Sequence, residues 1–256
     1  GDKNFQDSIL GSGNVSFSNT NFGDGNVKFI NTNFGDGKTS FRLCQFGNGK
    51  VDFHFSTFNN GTLNFENTNF GNGFVDFSKV DFGFNKVNFN RATFLDGDIS
   101  FEGSVLKYGK FTIKWVDFGS GNINFEKAEM ANVELCFDKA TFDKGSASRV
   151  SFNRSKLKKL SLRSCQLDDY FDLRVSECEY VDLSNTVIRD IIDLKAYDYI
   201  IDIKTLNLAH VRLLGVIDID WKANNIKEII ENQNETNNWI IAEQYRVLKE
   251  NFNKIG

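Results

Sequence analysis

The chain predicts an all-β solenoid with a short α-helical segment at its C-terminus. Three observations carry this: a strict twelve-residue repeat, no proline in 256 residues, and helical spacing confined to the end. Counted in twelves from Val15, the third position reads Phe17, Phe29, Phe41, Phe53, Phe65, Phe77, Phe89, Phe101, Ile113, Phe125 and Phe137. The eighth reads Phe22, Phe34, Phe46, Phe58, Phe70, Phe82, Phe94, Leu106, Phe118, Met130 and Phe142, with Phe5 and Leu10 in a degenerate first repeat. Self-similarity at a short fixed period marks a structure that grows along one axis, so length counts coils instead of domains.

Positions 1 and 3 alternate with polar neighbours, as do 6 and 8, so each repeat makes two short strands with one buried face. Position 6 is small or β-branched, from Thr20, Thr32 and Cys44 to Ala128 and Ala140, leaving the interior to the large residue two places on. Position 11 is glycine at Gly25, Gly37, Gly49, Gly61, Gly73, Gly97, Gly109, Gly121 and Gly145, as expected of a turn needing positive φ. Asn85 is tolerable there and Val133 is not. Residues 1–146 form this twelve-residue part.

From 147 to 221 the large residues stand closer, at Phe152, Leu157, Leu162 and Leu167, then Leu173, Cys178, Leu183 and Ile188. Residues 222–256 then turn helical. Ile241, Tyr245, Leu248, Phe252 and Ile255 fall at steps of four and three, a stripe one helix face wide. This segment is read as a cap on the last coil, with a connector or a dimerisation helix as alternatives. The N-terminal strand edge has no evident cover, which invites pairing with another chain.

Leu160-Ser161-Leu162, Cys165-Gln166-Leu167, Phe171-Asp172-Leu173, Val181-Asp182-Leu183 and Thr186-Val187-Ile188 resemble the pentapeptide repeat family, as do Thr20-Asn21-Phe22 and Ala92-Thr93-Phe94 earlier. The resemblance spans about residues 3–219 and implies a right-handed, four-sided β-helix with one pentapeptide per side. The glycine turns then read as two-residue insertions at every second corner, giving 24 residues per coil; a flat two-sided coil of 12 is the alternative. Nine or so coils at ~4.7–4.9 Å make a rod on the order of 45 Å long, filled by columns of phenylalanine.

Little chemistry is legible. Thirty basic residues against 34 acidic give a net charge of -4, so no global field marks the chain for nucleic acid, and direct nucleic-acid binding is not expected. Cys44, Cys136, Cys165 and Cys178 show no zinc-like spacing and three fall on inward positions, consistent with a reduced cytoplasm. The glycine turns lack the third glycine and helix of a dinucleotide fingerprint, and Gly37-Lys38-Thr39 lacks the rest of a phosphate loop. The turn column Asp24, Asn48, Asn72, Asp96, Ser120 and Lys144 is too neutral for calcium. With only His54 and His210 as imidazoles, no triad is assembled and no cofactor, metal or catalytic residue is assigned.

Two surface features remain. Arg149, Arg154, Lys156, Lys158, Lys159 and Arg163 place six positive charges in a stretch without a negative one, a solvated face or a surface for an anionic partner. Phe84 and Tyr108 share turn position 10 one coil apart and are expected to stack on an exposed ridge, with Phe55 and Trp115 facing outward elsewhere. The leading functional expectation is a non-enzymatic scaffold that binds a protein partner or joins two copies. A second follows from the tail Ala242–Gly256, which resembles a segment following pentapeptide repeats in some bacterial channel-like membrane proteins; the basic stretch would then face anionic lipid from the cytoplasmic side. A third is inhibition of DNA gyrase by DNA mimicry, known in the family from acidic dimers, from which this nearly balanced chain departs.

Overall fold

The computed structural model describes residues 1–142, 148–195, 198–233 and 237–255. All strand pairs are parallel, and each strand pairs with the one a full coil away: Val27 with Val51, Val51 with Val75. Turn residues bonded across coils stand 24 apart in sequence, so one coil takes two repeats and the two-sided alternative is excluded. A ten-stranded sheet runs from Lys3–Asn4 to Val216–Asp218, and a nine-stranded one from Val15–Ser16 to Leu206–Asn207. Between them lie two narrower faces, one held by single bridges through Asn33, Thr57, Asp81 and Val105, the other by single bridges through Gln45, Asn69, Thr93 and Asp117 and, from Thr141–Phe142 to Arg212–Leu213, by a four-stranded ladder. Taken in chain order from Lys3, these are faces one to four of a parallel β-solenoid of about nine turns.

The core is one continuous column of side chains. On face one, Phe5, Phe29, Phe53, Phe77, Phe101, Phe125 and Phe152 stack with ring centroids 4.4–5.3 Å apart. That spacing matches the strand separation, so every ring lies on the ring of the coil before it. Face three stacks Phe17, Phe41, Phe65 and Phe89 likewise, and the two columns meet edge to face, as Phe77 and Phe89 do at 5.5 Å and 88°. At Ile113 the column departs from the repeat. Phe111, two residues earlier, supplies the ring that stacks on Phe89 at 5.5 Å.

Corners differ from expectation in one respect. Most position-11 glycines do not carry positive φ; the left-handed residues are those at position 5, among them Asn19, Asn31, Leu43, Phe55 and Trp115, and glycines at position 9 such as Gly71. The position-11 glycines are required by proximity instead. A Cβ on Gly73 would lie 1.9 Å from the carbonyl oxygen of Gly49 in the coil before. Gly145 lies outside the described residues. Where glycine is replaced, the corner changes: Asn85 turns its amide inward to donate to Phe58 O at 2.9 Å, whereas at Val133 the turn vanishes and one strand, Glu129–Cys136, runs round the corner with a register shift.

The small residues at position 6 also do more than leave room. Thr68 Oγ1 donates to Phe41 O at 2.7 Å, Thr32 Oγ1 to Phe5 O at 2.8 Å, and Cys44 Sγ to Phe17 O at 3.0 Å. Each hydroxyl or thiol thus satisfies a buried carbonyl of the preceding coil, which is why a polar residue is tolerated inside.

After the change of period the coil tightens, with Arg149 paired to Tyr170 and Gln166 to Val187, and the last coil widens again, with Val187 paired to Arg212. The boundary at 146 and 147 lies outside the described residues. Beyond the last strand come helix α1, Ile226–Glu231, and helix α2, Asn238–Ile255.

Candidate functional site

The expected aromatic ridge is the corner between faces two and three. Phe84 and Tyr108 stack with centroids 6.1 Å apart and planes at 10°, and they are 55% and 58% exposed. Lys107 lies over the Phe84 ring and 3.6 Å from Asp81. Below them the same ridge is a polar rung, Asn60 donating to Asp36 at 3.0 Å. A shallow recess beside the pair is lined by Leu106, Lys107, Tyr108, Glu129 and Asn132. On the opposite ridge the corresponding column is polar among the described residues, with Asn48 donating to Asp24, Asn72 to Asn48 and Ser120 to Asp96 at 2.7–3.2 Å, and Phe74 beside it is partly exposed under Lys50. Lys144, expected on this column, lies outside the described residues. Phe55 and Trp115, both half exposed, sit under cations, Lys79 over Phe55 and Arg91 and Lys139 over Trp115.

The structure does not gather the basic stretch into one patch. Arg149 stands on face one, Lys156 on face two and Lys159 on face three, because a run of fifteen residues winds around most of a coil. Carboxylates on other coils also answer most of the charge. Arg149 meets Asp172 at 2.5 Å, Arg154 meets Asp198 at 2.6 Å, Lys156 meets Glu129 at 3.1 Å and Arg163 meets Asp138 at 3.3 Å. Lys159 lies over the Tyr180 ring, and Lys158 is exposed.

Several carboxylates are partly or wholly buried within these pairs. Burial pushes the Asp172 carboxyl up, but hydrogen bonds from Arg174 and Arg149 outweigh it and hold the group below the usual carboxylate range. For Asp138, burial is likewise outweighed by Ser161, Lys114 and Arg163. Arg174 is two residues from Asp172, but the other partners, Arg149, Ser161, Lys114 and Arg163, lie a coil away and are invisible to a charge count along the chain.

The C-terminal stripe faces the last coil. Leu248 is fully buried, Ile241, Tyr245 and Phe252 are partly buried against the core, and the Ile255 side chain lies outside the described residues. Trp221 packs on Tyr245 and Phe252 at 6.3 and 6.1 Å. Two residues the apolar stripe omits do the polar part of the capping. Asn251 Nδ2 donates to Ile217 O and its Oδ1 accepts from Ile217 N, both at 2.7 Å, and Gln244 Oε1 accepts from Leu208 N at 2.8 Å. Their spacing of seven puts both on one helix face, which was the available signal. No helix among the described residues is long and apolar enough to cross a membrane.

All four cysteines are buried and free. Burial pushes the thiol of Cys44 up to about 11 and those of Cys165 and Cys178 to about 12. A thiol so far from ionising at neutral pH is a poor nucleophile. One grouping that linear spacing hides is Asp52, His54 and Asp76, whose ligand atoms lie within 4.8 Å of one another.

No model of a protein family matches the chain, and no curated protein matches it in sequence. Among solved structures it is similar to HetL, a pentapeptide repeat protein involved in heterocyst differentiation regulation from the cyanobacterium Nostoc sp. strain PCC 7120. Identity is 11%, with 85% of this chain and 90% of that one covered, at a TM-score of 0.22. So loose a superposition carries no argument, and the architecture rests on the chain's own register. It is a parallel β-solenoid of about nine turns.

Proposed function

We propose that the chain is a non-enzymatic scaffold whose Phe84–Tyr108 ridge receives a protein partner. The observation that carries this reading is the aromatic pair itself: two parallel rings, more than half exposed, interrupt a corner that is otherwise polar. Aromatic anchors with a charged rim are what interfaces select, and Lys107 and Glu129 supply the rim here. Rigidity supports it too, because a surface fixed by coil-to-coil hydrogen bonds has little ordering cost on binding. DNA mimicry is disfavoured by the same ladders, since cations stacked in register, such as Lys50 between Asp52 and Asp76, break any continuous acidic array.

The test is a photo-crosslinking residue placed at Tyr108 and, as a control, at Asn48 on the opposite ridge, in cells that make the protein. A discrete protein adduct at 108, absent at 48 and lost with Phe84→Asn, is the expected result. Equal labelling at both positions, or none, refutes the assignment.

A further inference from the structure

Asp52 and Asp76 occupy the same place on face one in consecutive coils, paired in register. Both are buried, at 6% and 7% exposure. Their Oδ1 atoms are committed: Asp52 Oδ1 accepts from His54 N at 3.1 Å, and Asp76 Oδ1 from Ser78 N and Oγ. Their Oδ2 atoms converge on one point, taken by Lys50 Nζ at 2.8 and 3.1 Å. His54 stands two residues after Asp52, in the turn that follows the strand, and its Nε2 is buried without a hydrogen-bond partner. A buried ring nitrogen left unsatisfied calls for an explanation, and an unfilled ligand position is one.

We propose that Asp52, His54 and Asp76 form a site for a divalent transition-metal ion, with zinc the ion best suited, which enters by displacing the Lys50 ammonium. One imidazole and two carboxylates match zinc's donor preference, whereas calcium requires six to eight oxygens that this face does not offer. The fixed Oδ1 atoms orient both carboxylates, as outer hydrogen bonds do in metal sites. Lys50 marks where positive charge is stable, and its side chain is 39% exposed, so it has a path to solvent. The ligand atoms already lie within 4.8 Å of one another, and binding would draw them in to coordination distance. Three protein ligands leave a fourth position for water.

Lys50 and the ion compete for one place, and this gives the test. The full chain, stripped of metal, is titrated with zinc chloride by calorimetry as wild type, K50Q, H54Q, D76N and H210Q. One equivalent should bind the wild type, at least about tenfold more tightly in K50Q, and H54Q and D76N should lose that binding. H210Q should match wild type, His210 being the second of only 2 histidines. Far-UV circular dichroism confirms that each variant is folded. Absence of stoichiometric binding in both wild type and K50Q overturns the proposal, as does binding that survives H54Q or is lost in H210Q.

Discussion

Replacing Asn251 by leucine removes two hydrogen bonds and tests how the rod is closed. The Asn251 side chain is fully buried and meets both the N–H and the C=O of Ile217, itself fully buried on the last strand of face one. Leucine has nearly the same volume, so packing changes little, but both backbone groups lose their partners. Each unsatisfied buried group costs about 1–3 kcal/mol, and some water entry at the end of the rod makes the sum sub-additive, so a loss of about 3 kcal/mol is expected. Urea unfolding gives the size, and hydrogen exchange gives the place: the Ile217 amide should lose protection while amides near Phe77 keep theirs, because solenoid contacts run only between neighbouring coils. Asn253→Leu, on the exposed side of the same helix, should stay within about 0.5 kcal/mol of wild type. An unchanged Ile217 amide in a destabilised N251L protein would refute the capping role, and equal effects of the two substitutions would show that helix propensity, not capping, is being measured.

Two further outcomes follow from the corners and the charged pairs. Gly73→Ala should destabilise by about 1–3 kcal/mol through its clash with Gly49 O, whereas Gly103→Asn, at a corner with φ +61° where a Cβ would meet only Lys79 Cγ at 3.7 Å, should be neutral or stabilising, as thermal melts would show. Asp172, Asp138 and Asp76 all have folded pKa values held below their unfolded ones, so their stabilisation is full above the unfolded value near about 4 and is lost as pH falls through the folded values. The urea midpoint should therefore drop between pH 5 and pH 2, as a rough window from carboxylate linkage, and D172N should flatten that slope; an equal slope in D172N would show that other carboxylates govern acid unfolding.

The choice between a four-sided coil of two repeats and a flat coil of one fell to the register of the stacked strands, whereas the sequence by itself determined the repeat, the buried phenylalanines and the apolar stripe of the last helix. These are legible because a solenoid's long-range contacts recur at a fixed interval, so Phe29, Phe53 and Phe77 announce their contacts by spacing. Phe84 and Tyr108 were brought together by the same count. What only the tertiary structure decided lies across coils or off the pattern. The basic run from Arg149 to Arg163 looked like a patch because its counter-charges at Glu129, Asp138, Asp172 and Asp198 lie a coil or more away and its own residues wind around the rod. Gly73 looked like a positive-φ residue because glycine's two uses, left-handed backbone and close approach, leave the same letter in a sequence. Asn251 and Gln244 were overlooked in a stripe defined by apolar side chains, since the need they meet belongs to backbone groups of another element. Hydrophobic periodicity records what a residue buries; which polar group answers which is fixed only when the coils are stacked.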